Sequence, residues 1–204
     1  TLLPQFEGGT LTVDQANQTY NQDFTLSSSF NNTIDNDGNQ VVFAGIFSDA
    51  TSTPGNITFS PNGNPIEISG RNTYSGITVI NGTDSLISSG GAIPDGSDVY
   101  FFSATSGLKL TSGDETIASL NSSHPGTRVS LQGNNLSLGR AADLAAIFLG
   151  EITDPSGQGG IIKIGNNLQV LGGANTYTGA TIIRGGTLAI NGSITSNTTV
   201  ESGG

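Results

Sequence analysis

The clearest pattern in the sequence is a succession of short apolar runs, each closed by a cluster of Gly, Asn, Asp or Ser, and few folds accommodate it. Within a run every second residue is apolar, which is typical of a β-strand with one buried face. The clusters hold residues that accept positive φ or bond their own backbone, so they predict turns. Representative apolar pairs are Leu11/Val13, Ile57/Phe59, Ile66/Ile68, Ile77/Val79, Leu108/Leu110, Val129/Leu131 and Leu136/Leu138. The pattern predicts an all-β chain of many very short strands.

The composition also disfavours helices. The 204 residues include 30 glycines, and each glycine inside a helix costs about 1 kcal/mol relative to alanine. Ser, Thr and Asn supply most of the polar character, and they compete with helix formation by bonding the backbone themselves. Strands joined by turns are therefore the regular structure that we expect.

Three architectures fit short alternating strands: an antiparallel sandwich, a propeller and a parallel β-helix. A sandwich core needs longer strands and bulkier side chains than an aromatic content of 6% supplies. A β-helix needs only a narrow column of Val, Ile and Leu, with Gly and Asn at the corners, where stacked Asn side chains can form ladders. We therefore predict a right-handed parallel β-helix, a single-stranded solenoid of about eight to ten coils and on the order of 40 to 50 Å long.

One segment of the chain occurs twice. Residues 72–80 (NTYSGITVI) match residues 175–183 (NTYTGATII). The second copy begins 103 positions after the first (175 − 72 = 103). We predict one continuous β-helix segment over residues 1–204, with repeat copies centred on 57–87 and 161–190. Because the sequence starts without Met and stops within the strand-and-turn pattern, we expect a piece of a longer protein that lacks native caps.

The two copies resemble the autotransporter-associated β-strand repeat of Gram-negative type V secreted proteins. The matching pieces are NTYTG at 175–179 followed by GGTL at 185–188, NTYSG at 72–76 followed by NGT at 81–83, and flanking segments at 33–41 and 92–99. The resemblance implies a passenger domain, a right-handed parallel β-helix exported across the outer membrane and either displayed on the cell surface or secreted. The absence of cysteine suits this route, because such passengers cross the outer membrane largely unfolded.

The charge balance argues against nucleic-acid binding, and the short apolar runs argue against membrane insertion. Asp and Glu number 16 against 6 Lys and Arg, for a net charge of −10, whereas binding to nucleic acid depends on clustered Lys and Arg. The longest apolar stretch, residues 141–149, is interrupted by Asp143 and is far shorter than the roughly 20 residues of a membrane-spanning helix. We expect no nucleic-acid partner and no membrane insertion by this segment.

A β-helix can be a polysaccharide-cleaving enzyme, so the acidic residues are candidates for catalysis. Hydrolysis would need two carboxylates that converge on one face. The candidate pairs are Asp35/Asp37, Asp95/Asp98 and Asp114/Glu115. Each pair lies in a Gly-containing turn, where Asp commonly caps the turn, so we predict no catalytic residue.

A lyase would need a basic group beside such carboxylates. Lys109, Lys163 and Arg184 are all predicted to point outward as solvated charges on strand faces. His124, the one histidine, precedes Pro125 in a predicted exposed turn and has no ligand partners at zinc spacing. Residues 35–39 resemble a calcium loop only faintly, since the bidentate Glu is missing. We predict no enzymatic activity, no metal site and no cofactor.

The segment 99–102 carries an unusual pair of aromatic residues. Alternation turns Val99 and Phe101 toward the core, which leaves Tyr100 and Phe102 on the outer face, where most strands carry Thr or Ser. Two neighbouring exposed rings predict a ligand-binding or protein-binding patch. The alternative is that residues 141–149, which depart from strand alternation and could form a short helix or a buried strand, pack over them.

We predict from these features a surface-exposed passenger segment, a structural stalk or adhesin that attaches the cell to host or neighbouring cells. Its partners would be cell-surface proteins or glycans, contacted weakly at many points along the rod. Unpaired strand edges at the ends also favour end-to-end or edge self-association. Two alternatives stay open: a polysaccharide-active lyase or hydrolase of β-helical fold, and a secreted effector that binds a host receptor.

Overall fold

The computed structural model describes residues 3–27, 31–139 and 144–204. Across these ranges the chain forms 26 β-strands of two to five residues and no helix. The strands are β1 (Gln5–Phe6), β2 (Gly9–Thr12), β3 (Gln18–Tyr20), β4 (Phe24–Leu26), β5 (Asn32–Asp35), β6 (Val41–Phe43), β7 (Phe47–Asp49), β8 (Ile57–Ser60), β9 (Ile66–Ile68), β10 (Thr78–Ile80), β11 (Ser85–Ser89), β12 (Asp98–Phe101), β13 (Gly107–Thr111), β14 (Glu115–Ile117), β15 (Ser119–Asn121), β16 (Arg128–Ser130), β17 (Leu136–Leu138), β18 (Ala146–Phe148), β19 (Glu151–Thr153), β20 (Ile161–Lys163), β21 (Leu168–Leu171), β22 (Ala174–Asn175), β23 (Thr181–Ile183), β24 (Thr187–Ile190), β25 (Ser193–Ile194) and β26 (Thr198–Val200).

Successive strands lie on three faces of a solenoid. Face 1 contains β2, β5, β8, β10, β12 and β15, and is continued by β18, β21 and β24. Face 2 contains β3, β6, β9, β11, β13, β16 and β19, and is continued by β22 and β25. Face 3 contains β1, β4 and β7 and, later in the chain, β14, β17, β20, β23 and β26. Every strand pair in the described ranges is parallel. The coils number about 9, so the predicted parallel β-solenoid is confirmed.

Contacts between the sheets make each face continuous from coil to coil. They are the bridge between Ser122 and Phe148 on face 1, the bond from Thr176 N–H to the Ile152 carbonyl (2.9 Å) on face 2, and the bond from Thr73 N–H to the Phe47 carbonyl (2.9 Å) on face 3. Since each coil rests on the one before it, stability in such a rod comes mainly from contacts between nearest neighbours.

The core is a set of apolar columns parallel to the rod axis. One column on face 2 is held in register through six strands and consists of Val41, Ile66, Leu86, Leu108, Val129 and Ile152. All six side chains are buried, and full burial of each contributes about 1.5–3 kcal/mol. Of the six outward residues that follow them, four are polar (Glu67, Lys109, Ser130 and Thr153) and two are apolar (Val42 and Ile87).

Aromatic side chains are concentrated in the first three coils. The rings of Tyr20 and Phe43 stack with centroids 4.9 Å apart, and those of Phe24 and Phe47 stack at 5.2 Å. Phe6 packs against both Phe24 and Phe47. The low overall aromatic content thus conceals a locally aromatic core, which gives way to aliphatic columns further along the chain.

The repeated segment forms a corner at which one asparagine joins three successive coils. Asn72 Oδ1 accepts the N–H of Phe47 in the preceding coil (2.7 Å), and Asn72 Nδ2 donates to the carbonyl of Ala92 in the following coil (2.8 Å). The second copy repeats these bonds: Ile152 N–H to Asn175 Oδ1 (2.9 Å) and Asn175 Nδ2 to the Ser193 carbonyl (3.0 Å). In place of the ladders between asparagine side chains that the sequence suggested, each of these residues bonds backbone on both sides.

The tyrosine of each copy anchors the same corner from inside. The Tyr74 hydroxyl bonds Thr78 Oγ1 (2.6 Å), which bonds Ser97 Oγ of the next coil (2.8 Å). The second copy contains the same chain, Tyr177 to Thr181 (2.7 Å) and Thr181 to Ser196 (2.5 Å). The glycine of the motif is also required by space, since a Cβ at Gly76 would lie 2.5 Å from the Gly55 carbonyl oxygen.

The two copies occupy different corners of the solenoid. The first leads from face 3 into β10 on face 1, whereas the second leads from β22 on face 2 into β23 on face 3. The sequence repeat therefore does not span a whole number of coils. No helix in the described ranges is long and apolar enough to cross a membrane.

Candidate functional site

A column of outward side chains runs along face 1. Strand register places next to one another Thr33, Thr58, Val79, Tyr100 and Asn121, one from each of five consecutive coils. All five are half-buried, as expected for side chains that lie flat on a sheet beside their neighbours.

Tyr100 and Phe102 stand on the outer surface, and Val99 and Phe101 are buried. Alternation along β12 thus orients the four residues as predicted. The rings of Tyr100 and Phe102 are 6.5 Å apart and inclined by 32°, while Phe102 is 60% exposed. A large exposed ring next to a half-buried one is a surface that can pack against a partner.

A recess of about 490 Å³ opens beside these rings. Its opposite wall is formed by Ile147 and Leu149, two coils further along, and the coil between carries the smaller Asn121 and Ser123. Small polar side chains between two rows of large ones produce the depression. The sequence suggested residues 141–149 only as a cover for the rings, because the register between β12 and β18 depends on the length of the connecting loops.

The segment predicted as a possible cover for the rings, residues 141–149, is described from residue 144 onward. Residues 146–148 form strand β18, in agreement with one of the two predicted conformations. Ile147 points outward and is 51% exposed, and Phe102 also remains exposed. Residues 141–143 lie outside the described part of the chain.

A second recess of about 320 Å³ adjoins the first and shares Phe102 with it. It is lined mainly by hydroxyl, amide and aliphatic groups, including Thr33, Thr58, Val79 and Asn81. The two recesses together form a strip on face 1 on both sides of Phe102, which we call the Phe102 strip.

His124 lies at the edge of the Phe102 strip in a turn. Its N–H donates to Ser122 Oγ (3.1 Å) and its carbonyl accepts a bond from Thr127 Oγ1 (2.8 Å). The side chain is half-buried. The predicted turn is therefore correct, whereas the predicted exposure of the histidine side chain is not. Among the described residues, His124 Nδ1 has no hydrogen-bond partner.

Four of the six carboxylates considered for catalysis accept hydrogen bonds within the fold, whereas Asp37 and Asp95 are exposed in turns. Asp35 Oδ1 accepts the N–H of Asp37 (2.9 Å), which closes the turn of the supposed calcium loop. Asp98 is buried and accepts a bond from Ser119 Oγ (2.5 Å). Asp114 accepts the N–H of Asn135 (2.7 Å). Within the described ranges, no group of three or more acidic or histidine side chains is arranged to hold a metal ion.

Glu115 has a different environment from Asp114, its neighbour in sequence. It is fully buried and accepts hydrogen bonds from Ser88 Oγ and from the N–H groups of Ile93 (3.4 Å) and Thr116 (3.3 Å). Burial raises the pKa of Glu115, and these donors offset part of the increase. The side chain lies away from solvent and is part of the core beneath the first repeat copy.

The position of the Lys163 side chain contradicts the orientation predicted from the sequence. It was predicted to point outward, but it is buried in β20 in register with Leu138 and Ile183. Its Nζ donates to the carbonyls of Ile164 (2.5 Å), Gly165 (3.2 Å) and Gly185 (3.3 Å) and to Asn167 Oδ1 (3.0 Å). Burial lowers the pKa of Lys163, and the surrounding oxygen atoms make its burial tolerable. Lys109 and Arg184 do point outward, the latter in an ion pair with Glu201 (3.0 Å).

The fold and its repeated corner define a class of protein, the parallel β-solenoids built from short strands. The family model of the Passenger-associated-transport-repeat matches residues 161–190. Over 63 residues the chain is 46% identical to the Neisserial autotransporter lipoprotein NalP of Neisseria meningitidis serogroup B, a match that covers 31% of this chain and 6% of the relative. Over 99 residues it is 33% identical to the Adhesin BmaC autotransporter of Brucella suis biovar 1, covering 47% of this chain and 3% of the relative. No solved structure gives a significant match.

These findings support the predicted resemblance: residues 161–190 match the passenger-associated repeat, and parts of the chain are similar to two autotransporters. Passengers of this kind are exported across the outer membrane to the cell surface or secreted. The comparisons agree with the predicted family resemblance and with the predicted export to the cell surface or secretion. The aligned part of the chain spans only a small fraction of the length of the relatives it matches.

Proposed function

We propose that this segment is a non-catalytic stalk and adhesive surface that attaches the cell to host or neighbouring cells. The observation that carries the proposal is the Phe102 strip, an exposed aromatic surface on a stiff rod of parallel coils. A rod of this kind holds the strip at a fixed orientation, so contact with another surface costs little conformational entropy.

The similarity to a relative named as an adhesin, BmaC, supports an attachment role. The buried or turn-closing positions of Asp35, Asp98 and Glu115 support a non-catalytic one, since hydrolysis of a glycosidic bond needs carboxylates that face the substrate. Of the alternatives left open by the sequence, neither the polysaccharide-active enzyme nor the receptor-binding effector has a specific observation in its favour.

The experiment is an adhesion assay with the chain coupled to fluorescent beads. Beads carrying the chain should adhere to epithelial or bacterial cell layers several-fold more than beads carrying albumin, and soluble chain should compete. Adhesion no higher than that of albumin beads would refute the proposed function. Clumping of the beads without cells would identify self-association through the exposed end strands in place of attachment to a partner.

A further inference from the structure

The strip on face 1 is uncharged although the chain as a whole is acidic. None of the residues that line the two recesses is Asp, Glu, Lys or Arg, whereas the chain carries a net charge of −10. A polyanion would be repelled by the surrounding field, and a cationic partner would find no carboxylate in the strip with which to pair. Complementarity of charge therefore favours a neutral ligand.

The backbone beneath the strip is not available to a ligand. β10 and β12 are hydrogen-bonded on both sides, β10 to β8 and β12, and β12 to β10 and β15. A peptide that binds by adding a strand needs an open sheet edge, and a sheet face offers only side chains. Recognition must therefore come from rings, hydroxyls and amides.

The side chains of the strip have the two properties needed for contact with a sugar. Tyr100 and Phe102 present flat apolar surfaces, which can pack against the apolar C–H face of a pyranose ring. Thr58, Asn81 and Asn121 lie beside them and supply hydroxyl and amide groups that both donate and accept hydrogen bonds, as sugar hydroxyls do.

We propose that the Phe102 strip binds a neutral oligosaccharide chain that lies along the rod axis, with Phe102 at its centre. This inference rests on the proposed adhesive function and names its ligand class. The strip extends from β5 to β18 across six strands of face 1, a length of about 24 Å at about 4.8 Å per strand. A site of this length contacts several sugar units, so affinity should increase with chain length.

The test is binding of the purified chain to an array of oligosaccharides, followed by calorimetry in solution. The array carries neutral glucose, mannose, galactose and N-acetylglucosamine oligomers of two to six units, with sialylated and heparin-derived oligomers as acidic counterparts. We expect binding to at least one neutral series, at least ten-fold tighter for six units than for two, and no comparable binding to the acidic oligomers.

Three variants identify the site. Phe102→Ala removes an exposed ring and should weaken binding at least ten-fold without loss of folding. Phe102→Trp keeps a flat ring and should retain binding, and its emission should shift on addition of the sugar because the chain has no other tryptophan. Ile46→Ala is the matched control, since Ile46 is an exposed apolar residue outside the strip, and it should change affinity less than two-fold.

Failure of this inference is distinct from failure of the adhesive function. Absence of binding to every neutral oligomer, stronger binding to the acidic ones, or equal affinity of Phe102→Ala and the unmodified chain would each overturn the glycan assignment. If the beads still adhered to cells, and adhesion were abolished by protease treatment of those cells, a protein receptor would take the place of the glycan. Beads that do not adhere would refute the adhesive function, while the array result would still decide whether the strip binds sugar.

Discussion

The two copies of the repeated segment make the same bonds at two different places in the rod. In both, an asparagine joins three coils, and a tyrosine, a threonine and a serine form a buried chain of hydroxyl groups. The first copy lies in the middle of the described chain, on the corner between faces 3 and 1. The second lies in its last coils, on the corner between faces 2 and 3. The motif therefore forms the same hydrogen bonds at two different corners of the solenoid.

The surroundings of the two copies differ in burial and charge. The carbonyl partner of Asn72 belongs to Ala92, which is buried, whereas the partner of Asn175 belongs to Ser193, which is exposed. Burial and the nearby Glu115 carboxylate raise the pKa of Tyr74, while for Tyr177 burial is the cause of the increase. The bonds of the two asparagines should therefore contribute unequally to stability. Three experiments compare the two copies and the groups around them.

The largest difference is expected between Asn72→Ala and Asn175→Ala. Removing Asn72 leaves a buried N–H and a buried carbonyl without partners, at about 1–3 kcal/mol each, so the free energy of unfolding should fall by about 2–6 kcal/mol. Removing Asn175 should cost about 1–2 kcal/mol and act on the last coils, because water can reach the Ser193 carbonyl. Urea unfolding and hydrogen exchange report the two effects.

The exposed Asn166 provides the control for the asparagine variants. Asn166→Ala should change stability by less than about 0.5 kcal/mol. Hydrogen exchange should increase on both sides of the corner in Asn72→Ala, whereas in Asn175→Ala it should increase at the Ile152 N–H, which loses its acceptor, and beyond residue 170. Equal losses in both variants would mean that position along the rod does not influence the energy of the corner.

A smaller, pH-dependent difference is expected from Glu115, which lies near the first copy. Because burial raises its pKa from the ordinary value of 4.5, the folded state favours the protonated carboxyl. The stability that this preference contributes is fully present below pH 4.5 and is lost as pH rises through the raised pKa. Each unit of pKa increase corresponds to about 1.4 kcal/mol. Glu115→Gln should remove this part of the pH dependence.

The measurement is the urea midpoint of the unmodified chain and the variants between pH 4 and pH 8. Glu7→Gln removes an exposed carboxyl and controls for the change in net charge, and it should keep the slope of the unmodified chain. Parallel pH profiles for Glu115→Gln and the unmodified chain would show that Glu115 does not titrate differently on unfolding.

The smallest effects are expected from Tyr74→Phe and Tyr177→Phe. Each removes one hydroxyl from a chain of hydrogen bonds and should cost about 1 kcal/mol. Because the two corners are far apart, the costs should add within about 0.5 kcal/mol in the double variant. Urea unfolding of both single variants and the double variant tests this, and a clear departure from additivity would mean that the corners are coupled through the rod.

Alternation was enough to predict most of the architecture. The inward positions of Val99, Leu108 and Leu110 follow from a period of two, and so does the outward position of Phe102. The prediction succeeded because each strand has one buried and one exposed face, so a single binary pattern determines the orientation of every side chain in a run.

The pattern failed where consecutive residues are apolar. Residues 161–164 read Ile-Ile-Lys-Ile, and alternation favours the register with Ile162 and Ile164 inside and Lys163 outside. The structure has Ile161 and Lys163 inside, because the oxygen atoms around the Lys163 ammonium come from turns of two different coils. No property of the segment itself indicates those acceptors.

By itself, the sequence determined the class of fold, the turns and the repeated corner, since each depends on residues within a few positions of one another. Only the tertiary structure decided which face each repeat copy occupies, that Lys163 lies in the core, and that Ile147 and Leu149 stand opposite Tyr100 and Phe102. The reason is that coils differ in length by a few residues. The alignment of side chains between coils therefore depends on the sum of all the loops between them, which no local pattern contains.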